Sequence, residues 1–189
     1  MSAQDSKLFV ISGPSGAGKG TLVTRVRERR SNLGLTVSAT TRAPRKGEVD
    51  GVNYLFLTRE EFDRRVANGE FVEWAEVHGN CYGTLVSEVQ SKLASGSSLI
   101  LEIDVQGALQ VKERFPEAVL IFIKPPSLEV LRERLVGRGT ETPETIELRM
   151  ANAADELALA DRYDDVVVND DLDRATDELV RVLDMHERI

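Results

Sequence analysis

Residues 13–21 have the types and spacing to bind an anionic group. They match the pattern G-x-x-x-x-G-K at Gly13, Gly18 and Lys19. An apolar run over residues 8–11 predicts a buried strand before the loop, and apolar residues at helical spacing after it predict a helix. Glycines permit the tight turns that direct backbone N–H groups inward, and the N-terminal end of a helix attracts negative charge. The stretch therefore predicts a phosphate-binding loop.

One position of this loop departs from the general pattern. Gly20 follows Lys19, whereas the motif has Ser or Thr there, with a hydroxyl that contacts a magnesium ion. Thr21 supplies a hydroxyl one residue later. We therefore expect an indirect contact between the loop and magnesium. The alternative interpretation is a flexible glycine-rich turn without a ligand.

Two carboxylates at the end of a predicted strand form a second candidate site. Continuous apolar runs at residues 99–103, 119–123 and 166–168 are typical of parallel strands covered on both faces. Glu102 and Asp104 lie two residues apart, hence on one face, at the end where open parallel sheets bind ligands. We expect two buried acids that either hold magnesium beside the loop or accept N–H groups of a substrate. The alternative is a pair of acids at a frayed strand end.

The charge of the chain limits its partners. The 189 residues carry a formal net charge of -8, which argues against a surface for nucleic acid or for an anionic membrane. A hydrophobic content of 41% suits one domain, or a core with insertions. Cys81 is the single cysteine, which excludes an intramolecular disulfide, and there is no leader or long apolar run. We expect a cytoplasmic protein without a membrane partner.

Strand and helix signals alternate along the chain. The alternation predicts a right-handed, mostly parallel sheet flanked by helices, with a small antiparallel insertion over residues 36–84. The predicted strands cover residues 8–11, 36–40, 54–57, 71–77, 81–84, 99–103, 119–123 and 166–168, and residues 33–35 are predicted to be a stop. The predicted helices begin near Thr21, Thr58, Val86, Gln106, Ser127 and Pro143 and after Asp171.

Several motifs together resemble those of guanylate kinases over nearly the whole chain. They are GPSGAGKGT at 13–21, SATTRAPR at 38–45, GEVDGVNY at 47–54, EWA at 73–75, YGT at 82–84, IDVQG at 103–107 and RGTET at 138–142. Their order and spacing are more specific than a phosphate loop alone. The resemblance implies a three-layer α/β fold of the P-loop NTPase type with a parallel sheet core. The implied parts are a core of residues 1–35, 86–125 and 151–189, a mixed or antiparallel GMP-binding insertion of residues 36–85, and a helical lid of residues 126–150.

The resemblance also implies ATP-dependent phosphorylation of GMP and dGMP by direct in-line transfer with Mg²⁺, in purine nucleotide metabolism and GMP recycling. The implied catalytic residues are Lys19, Arg42, Arg138 and Arg149. The implied ATP-binding residues are Gly13, Pro14, Ser15, Gly16, Ala17, Gly18, Lys19, Gly20, Thr21, Arg134, Arg138 and Asn169. The implied GMP-binding residues are Ser38, Arg42, Arg45, Tyr54, Glu73, Tyr82, Thr84 and Asp104. Glu102 is the candidate for a magnesium contact through water, because Asp104 is assigned to guanine.

The chemistry of guanine agrees with a site built from carboxylates and hydroxyls. Guanine presents an N1–H and an amino group as neighbouring donors, whereas adenine has an acceptor at N1 that would face a carboxylate lone pair. The alternative interpretations are a surface position for Glu73, core packing for Tyr54 and Tyr82, and an ordinary helix-surface charge for Arg134. We also expect Glu48 and Asp50 to order their loop as partners of Arg42 and Arg45.

Two other functions remain open from the residues. The first is a nucleoside monophosphate kinase for AMP or a pyrimidine nucleotide, against which Glu73 and Asp104 argue. The second is a guanylate-kinase-like module of a scaffolding protein, which binds partner peptides without catalysis. Lys19 and the lid arginines favour the enzyme. The oligomeric state is open.

Overall fold

The structure is a computed structural model that describes residues 6–77, 79–137, 139 and 142–187. Two β-sheets and their helices make up this part of the chain. The strands are β1 (Leu8–Ser12), β2 (Gly34–Leu35), β3 (Ala39–Thr40), β4 (Leu55–Phe56), β5 (Phe71–Val77), β6 (Asn80–Leu85), β7 (Leu99–Glu102), β8 (Val119–Lys124) and β9 (Asp165–Val168). The helices are α1 (Lys19–Arg29), α2 (Arg59–Ala67), α3 (Val86–Ala94), α4 (Val105–Arg114), α5 (Leu128–Gly137), α6 (Pro143–Leu157) and α7 (Leu172–Glu187), with a 3₁₀ turn at Ala160–Arg162.

The larger sheet has the strand order β2-β7-β1-β8-β9, and every pair in it is parallel. Its three central strands are almost entirely buried, as expected for strands covered by helices on both faces. The prediction of a parallel core is confirmed. The predicted stop at residues 33–35 is wrong, because Gly34 and Leu35 pair with Leu99 and Ile100. Two residues are too few to show a strand pattern, so this pairing depends on the neighbouring strand.

The smaller sheet has the order β4-β3-β6-β5 and belongs to the insertion. Strand β3 pairs in parallel with β4, and the other two pairs are antiparallel, so the sheet is mixed. The strand predicted over residues 36–40 shrinks to Ala39–Thr40. Both residues are buried, and the rest of that stretch pairs with no strand.

Helices cover the larger sheet on both faces and complete three layers. Phe9 and Ile11 pack with α1 and α7 on one face, whereas Val10 and Phe122 pack with α3 and α4 on the other. Successive residues of a strand point to opposite faces, which accounts for the division. None of the helices in the described ranges is long and apolar enough to cross a membrane.

Side-chain caps fix where several helices begin. Thr58 Oγ1 accepts a hydrogen bond of 3.2 Å from the backbone N–H of Glu61. Thr142 Oγ1 accepts one of 3.3 Å from Thr145, with Pro143 as the first residue of α6. Helix α6 continues without a break across residue 150, where the lid was predicted to end. The predicted boundary between lid and core therefore lies within one helix.

Candidate active site

The phosphate-binding loop connects β1 to α1, as predicted. Gly13 and Gly18 have φ of 142° and 91°, conformations that residues with a Cβ rarely adopt. Lys19 is the first residue of α1, and its Nζ donates to the carbonyl oxygens of Gly13 at 2.6 Å and Pro14 at 3.1 Å. The side chain thereby lies across the loop, where its charge adds to that of the helix N-terminus.

An open cavity of about 490 Å³ adjoins this loop. Gly16, Gly18 and Thr21 line one side, and Arg134 and Asn169 line the other. Asn169 follows β9, and its Nδ2 donates to the carbonyl oxygen of Ala17 at 2.8 Å. Arg134 Nη2 donates to the carbonyl oxygen of Asn169 at 2.7 Å. The structure therefore brings Arg134 and Asn169, two residues of the expected ATP-binding set, to the loop.

A buried carboxylate lies in the smaller sheet. Glu73 is on β5, and Thr84 on β6 is opposite it in the register. Thr84 is buried and its Oγ1 donates to Glu73 Oε1 at 2.9 Å. Burial raises the pKa of Glu73 above its usual range, the hydrogen bond from Thr84 opposes the shift, and the charge of Asp104 adds to it. Glu73, Thr84 and Asp104 thus face one space, and the surface interpretation of Glu73 is wrong.

The prediction that Glu102 and Asp104 are two buried acids is wrong. Both residues are exposed, and only Glu102 belongs to β7. Asp104 is the N-cap of α4, and its Oδ1 accepts a hydrogen bond of 2.7 Å from the N–H of Gly107. The carboxyl end of the Glu102 side chain lies towards α1, where partial loss of solvent raises its pKa and the charge of Lys19 lowers it. The strand ends before Asp104 because a capped helix begins there.

The loop after β3 contains an arginine held by an acid. Arg42 Nη2 donates to both carboxylate oxygens of Glu48, at 2.8 and 3.0 Å, and Glu48 also accepts from the backbone N–H of Arg45 at 2.7 Å. The hydrogen bond from Arg42 holds the pKa of Glu48 below its usual range. The Arg42 guanidinium lies 5.4 Å from the ring centroid of Tyr54. The expected role of Glu48 in ordering the loop is confirmed.

The remaining residues expected to bind GMP or to order the loop lie in or near the smaller sheet. Tyr82 on β6 lies 6.3 Å from Tyr54 between ring centroids, so the two tyrosines and Arg42 are neighbours. The side chain of Asp50 accepts from the N–H of Phe56 at 2.8 Å and is not paired with an arginine. Arg45 is exposed. Ser38 precedes β3, and its carbonyl oxygen accepts from the N–H of Leu55 at 2.9 Å.

Helix α6 brings a basic side chain to the phosphate loop. Arg149 Nη1 donates to Ser15 Oγ, and this hydrogen bond connects α6 to the phosphate loop. The predicted contribution of Arg149 to this region is therefore consistent with its position. Arg138 lies outside the described residues. Arg132 pairs with Glu147.

Comparisons with known proteins identify the family. The family model for guanylate kinase matches residues 5–186. The chain belongs to the guanylate kinase family. It is 57% identical to a guanylate kinase of Gloeobacter violaceus, over 94% of this chain and 87% of that protein. It is 51% identical to a guanylate kinase of Halalkalibacterium halodurans, over 97% of this chain and 90% of that protein. The crystal structure of the guanylate kinase from Anaplasma phagocytophilum superposes with a TM-score of 0.72 at 36% identity, over 97% and 87% of the two chains.

Three polar residues of this guanylate kinase fold escaped the sequence prediction. Glu156 lies on α6, seven residues after Arg149. This spacing of two helical turns puts the two residues on one face of the helix and could have been recognised in the sequence. Ser12 ends β1 and Tyr163 follows the 3₁₀ turn. The hydroxyls of Ser12 and Tyr163 are buried near each other: burial raises the pKa of Tyr163, and the Ser12 hydroxyl lowers it.

Proposed function

We propose that this guanylate kinase family member transfers the terminal phosphoryl group of ATP to GMP, forming ADP and GDP. The observation that carries the proposal is the buried carboxylate of Glu73, hydrogen-bonded by Thr84 and facing Asp104. These groups are acceptors, as the neighbouring N1–H and amino donors of guanine require. Asp104 follows β7, which pairs in parallel with β1, so Asp104 and the phosphate loop after β1 lie at the same edge of the larger sheet.

Arginines and tyrosines of the insertion would bind the phosphate of GMP. Arg42, Arg45, Tyr54 and Tyr82 are assigned to it, and a guanidinium can make two parallel hydrogen bonds to phosphate oxygens. In the structure Nη2 of Arg42 donates to both carboxylate oxygens of Glu48, and Nη1 donates to the carbonyl oxygen of Ala43. We infer that the phosphate of GMP binds the part of the Arg42 guanidinium that Glu48 does not contact. Glu48 would keep the arginine side chain oriented. Ser38 is assigned to guanine beside Glu73.

Positively charged side chains would stabilise the transition state of phosphoryl transfer. Phosphoryl transfer depends on positioning and on neutralising the oxygens of the transferring group, and an inserted arginine contributes about 10³–10⁵-fold. We assign this to Lys19, Arg42, Arg138 and Arg149. The ATP phosphates would bind the N–H groups of residues 13–21, and Arg134 and Asn169 would lie beside adenine.

The residues beside the loop fit a magnesium ion that arrives with ATP. A Cβ on Gly20 would lie 3.6 Å from Glu102 Oε1, so this carboxylate lies beside the position where the general motif has a hydroxyl. Magnesium prefers oxygen ligands, few carboxylates and several waters. Within the described residues there is no preformed group of three metal-ligating side chains. We assign Glu102 a contact through water. When bound, the ion neutralises charge on the phosphates.

We further propose that dGMP is a substrate, because no assigned residue is given to the ribose. The reaction would recycle GMP in purine nucleotide metabolism, in the cytoplasm. Neither nucleic acid nor a membrane surface would be a partner, in keeping with the net charge of -8.

Product identification with ATP, magnesium and each nucleoside monophosphate tests the function. We expect GDP from GMP, and about 10⁴-fold lower kcat/KM with AMP, since unpaired polar groups penalise the wrong base strongly. Lys19→Ala is expected to abolish turnover and leave the fold intact in circular dichroism. Faster turnover of AMP than of GMP would refute the guanine assignment, and full activity of Lys19→Ala would refute the role of the loop.

A further inference from the structure

Strand β5 contains a bulge just before Glu73. Phe71 is opposite Leu85 in the register with β6, and Glu73 is opposite Thr84. Two residue steps on β5 therefore match one step on β6, which is characteristic of a β-bulge. Because residues opposite each other share a face, Phe71 and Glu73 lie on opposite faces of the smaller sheet. In a regular strand, residues two apart would share one face.

The aromatic contacts of α2 agree with this change of face. Phe62 of α2 stacks on Phe71 at 4.4 Å between ring centroids and meets Trp74 edge-on at 6.2 Å. Residues three apart on a regular strand would point to opposite faces, so the extra residue lies between Phe71 and Trp74. Without the bulge, Glu73 would share the face of Phe71 and point towards α2. With the bulge, it shares the face of Thr84, whose hydroxyl donates to it at 2.9 Å.

Helix α4 packs against the bulge from the core. Val72, the residue within the bulge, is buried in one hydrophobic cluster with Val105 and Val111 of α4. A Cβ on Gly107, in the first turn of the helix, would lie 3.8 Å from Cβ of Glu73. The beginning of α4 therefore lies directly beside Glu73.

The last residue of α4, Arg114, binds the backbone that precedes the bulge. Its Nη1 donates to the carbonyl oxygen of Phe71, and its Nη2 donates to that of Gly69 at 2.7 Å. A guanidinium is planar and presents its N–H groups in fixed directions, so one side chain orients both carbonyl groups. Phe71 is the last residue before the register changes. The hydrogen bond from Arg114 therefore acts at the point where the bulge begins.

We propose that Arg114 is a positioning residue for guanine recognition. By holding the backbone at Phe71, it keeps the bulge in place and the carboxylate of Glu73 directed at the N1–H and amino donors of the base. Asp104, which is also assigned to guanine, caps the other end of α4. One helix would thus align both carboxylates, and Arg114 would act through Glu73 rather than on the substrate. The proposal rests on the proposed function, in which Glu73 binds guanine.

Steady-state kinetics of Arg114→Ala, with GMP and then ATP as the varied substrate, test the proposal. We expect KM for GMP to rise about tenfold, because a displaced carboxylate binds the base less well. We expect kcat to stay within about twofold of the wild type and KM for ATP to be unchanged, because the phosphate loop does not depend on β5.

Lys112→Ala is the matched control. Lys112 is also a basic side chain of α4, and its Nζ donates to a backbone carbonyl oxygen, that of Ala118, at 2.6 Å. Ala118 precedes β8 in the core, so this hydrogen bond does not hold the insertion. We expect KM for GMP in Lys112→Ala to equal that of the wild type.

A double-mutant cycle shows whether Arg114 acts through Glu73. In the Glu73→Gln background, Arg114→Ala should raise KM for GMP by less than about twofold, because the contact that Arg114 positions is already lost. Arg114→Lys keeps the charge but lacks the planar guanidinium. Its KM for GMP should therefore lie only about threefold above that of the wild type.

Three results would overturn the proposal. One is an unchanged KM for GMP in Arg114→Ala, or in Arg114→Lys should the alanine variant not fold. The second is an equal rise of KM for GMP and for ATP, and the third is the full effect of Arg114→Ala in the Glu73→Gln background. A wild-type protein that phosphorylates AMP in preference to GMP would contradict the proposed function instead.

Discussion

At the scale of single residues, Glu73 combines a structural cost with a functional use. Burial raises its pKa in the folded protein above its ordinary value of 4.5, so the fold favours its protonated form. The stability that this group contributes is present below the pKa of the unfolded chain and is lost as the pH rises through the folded pKa. Binding guanine, in contrast, requires the ionised carboxylate, which accepts two hydrogens.

We expect Glu73→Gln to separate these two effects. Its free energy of unfolding should depend less on pH than that of the wild type, above about pH 4.5, because no buried carboxyl group ionises there. Its kcat/KM for GMP should fall about 10²-fold or more, because an amide cannot accept both donors of guanine. Urea unfolding across a pH series and steady-state kinetics give the two quantities.

Glu76→Gln is the control, since Glu76 is an exposed acid on the same strand that pairs with Arg59. It should leave both measurements near those of the wild type. The same pH dependence of stability in Glu73→Gln and in the wild type would show that Glu73 is not the titrating group.

At the scale of elements, the phosphate loop depends on close packing between β1 and β8. A Cβ on Gly13 would lie 2.2 Å from the carbonyl oxygen of Ile123, and the φ of 142° is itself unfavourable for other residues. No flexible side chain can move aside there, because the obstacle is backbone. The loop conformation is therefore tied to a strand that is far from it in sequence.

We expect Gly13→Ala to cost about 3 kcal/mol or more of stability, whereas Gly96→Ala should cost about 1 kcal/mol. Gly96 also has a positive φ, of 82°, but a Cβ there would meet nothing within 4 Å. The pair therefore separates the steric clash from the backbone strain. Chemical unfolding of both variants measures the difference, and equal costs would contradict the packing argument.

At the scale of the whole molecule, the insertion and the lid are attached to the core in different ways. Arg114 of α4 donates to the carbonyl oxygens of Phe71 and of Gly69, the latter at 2.7 Å, and so ties the insertion to the core. The predicted lid, residues 126–150, shares α6 with the residues that follow it. We expect the insertion and the predicted lid to approach each other when both substrates bind.

We expect a bisubstrate analogue to reduce the radius of gyration measured by X-ray scattering, because closure excludes water from the transferring group. Arg42→Ala, which lacks part of the assigned phosphate clamp, should show a smaller reduction at the same analogue concentration. Identical scattering profiles of the free and the bound wild-type protein would contradict a closing motion.

Local sequence patterns were sufficient for most elements. The helix caps at Thr58 and Thr142, the parallel core strands and the phosphate loop all follow from short-range rules of hydrophobic period, capping and glycine conformation. The motifs also identified the family, which the comparisons confirm. These features are encoded within a few residues of one another, so no knowledge of distant neighbours was needed.

The remaining features were decided by contacts between distant parts of the chain. The strand at Gly34–Leu35 exists because β7 lies beside it, and the exposure of Asp104 follows from the helix that it caps. Likewise, Arg149 contacts Ser15 only because α6 folds back against the phosphate loop. Residue spacing specifies the face of a helix or strand on which a side chain lies. Which group that face meets is determined by tertiary packing, because burial and charge depend on everything around the side chain.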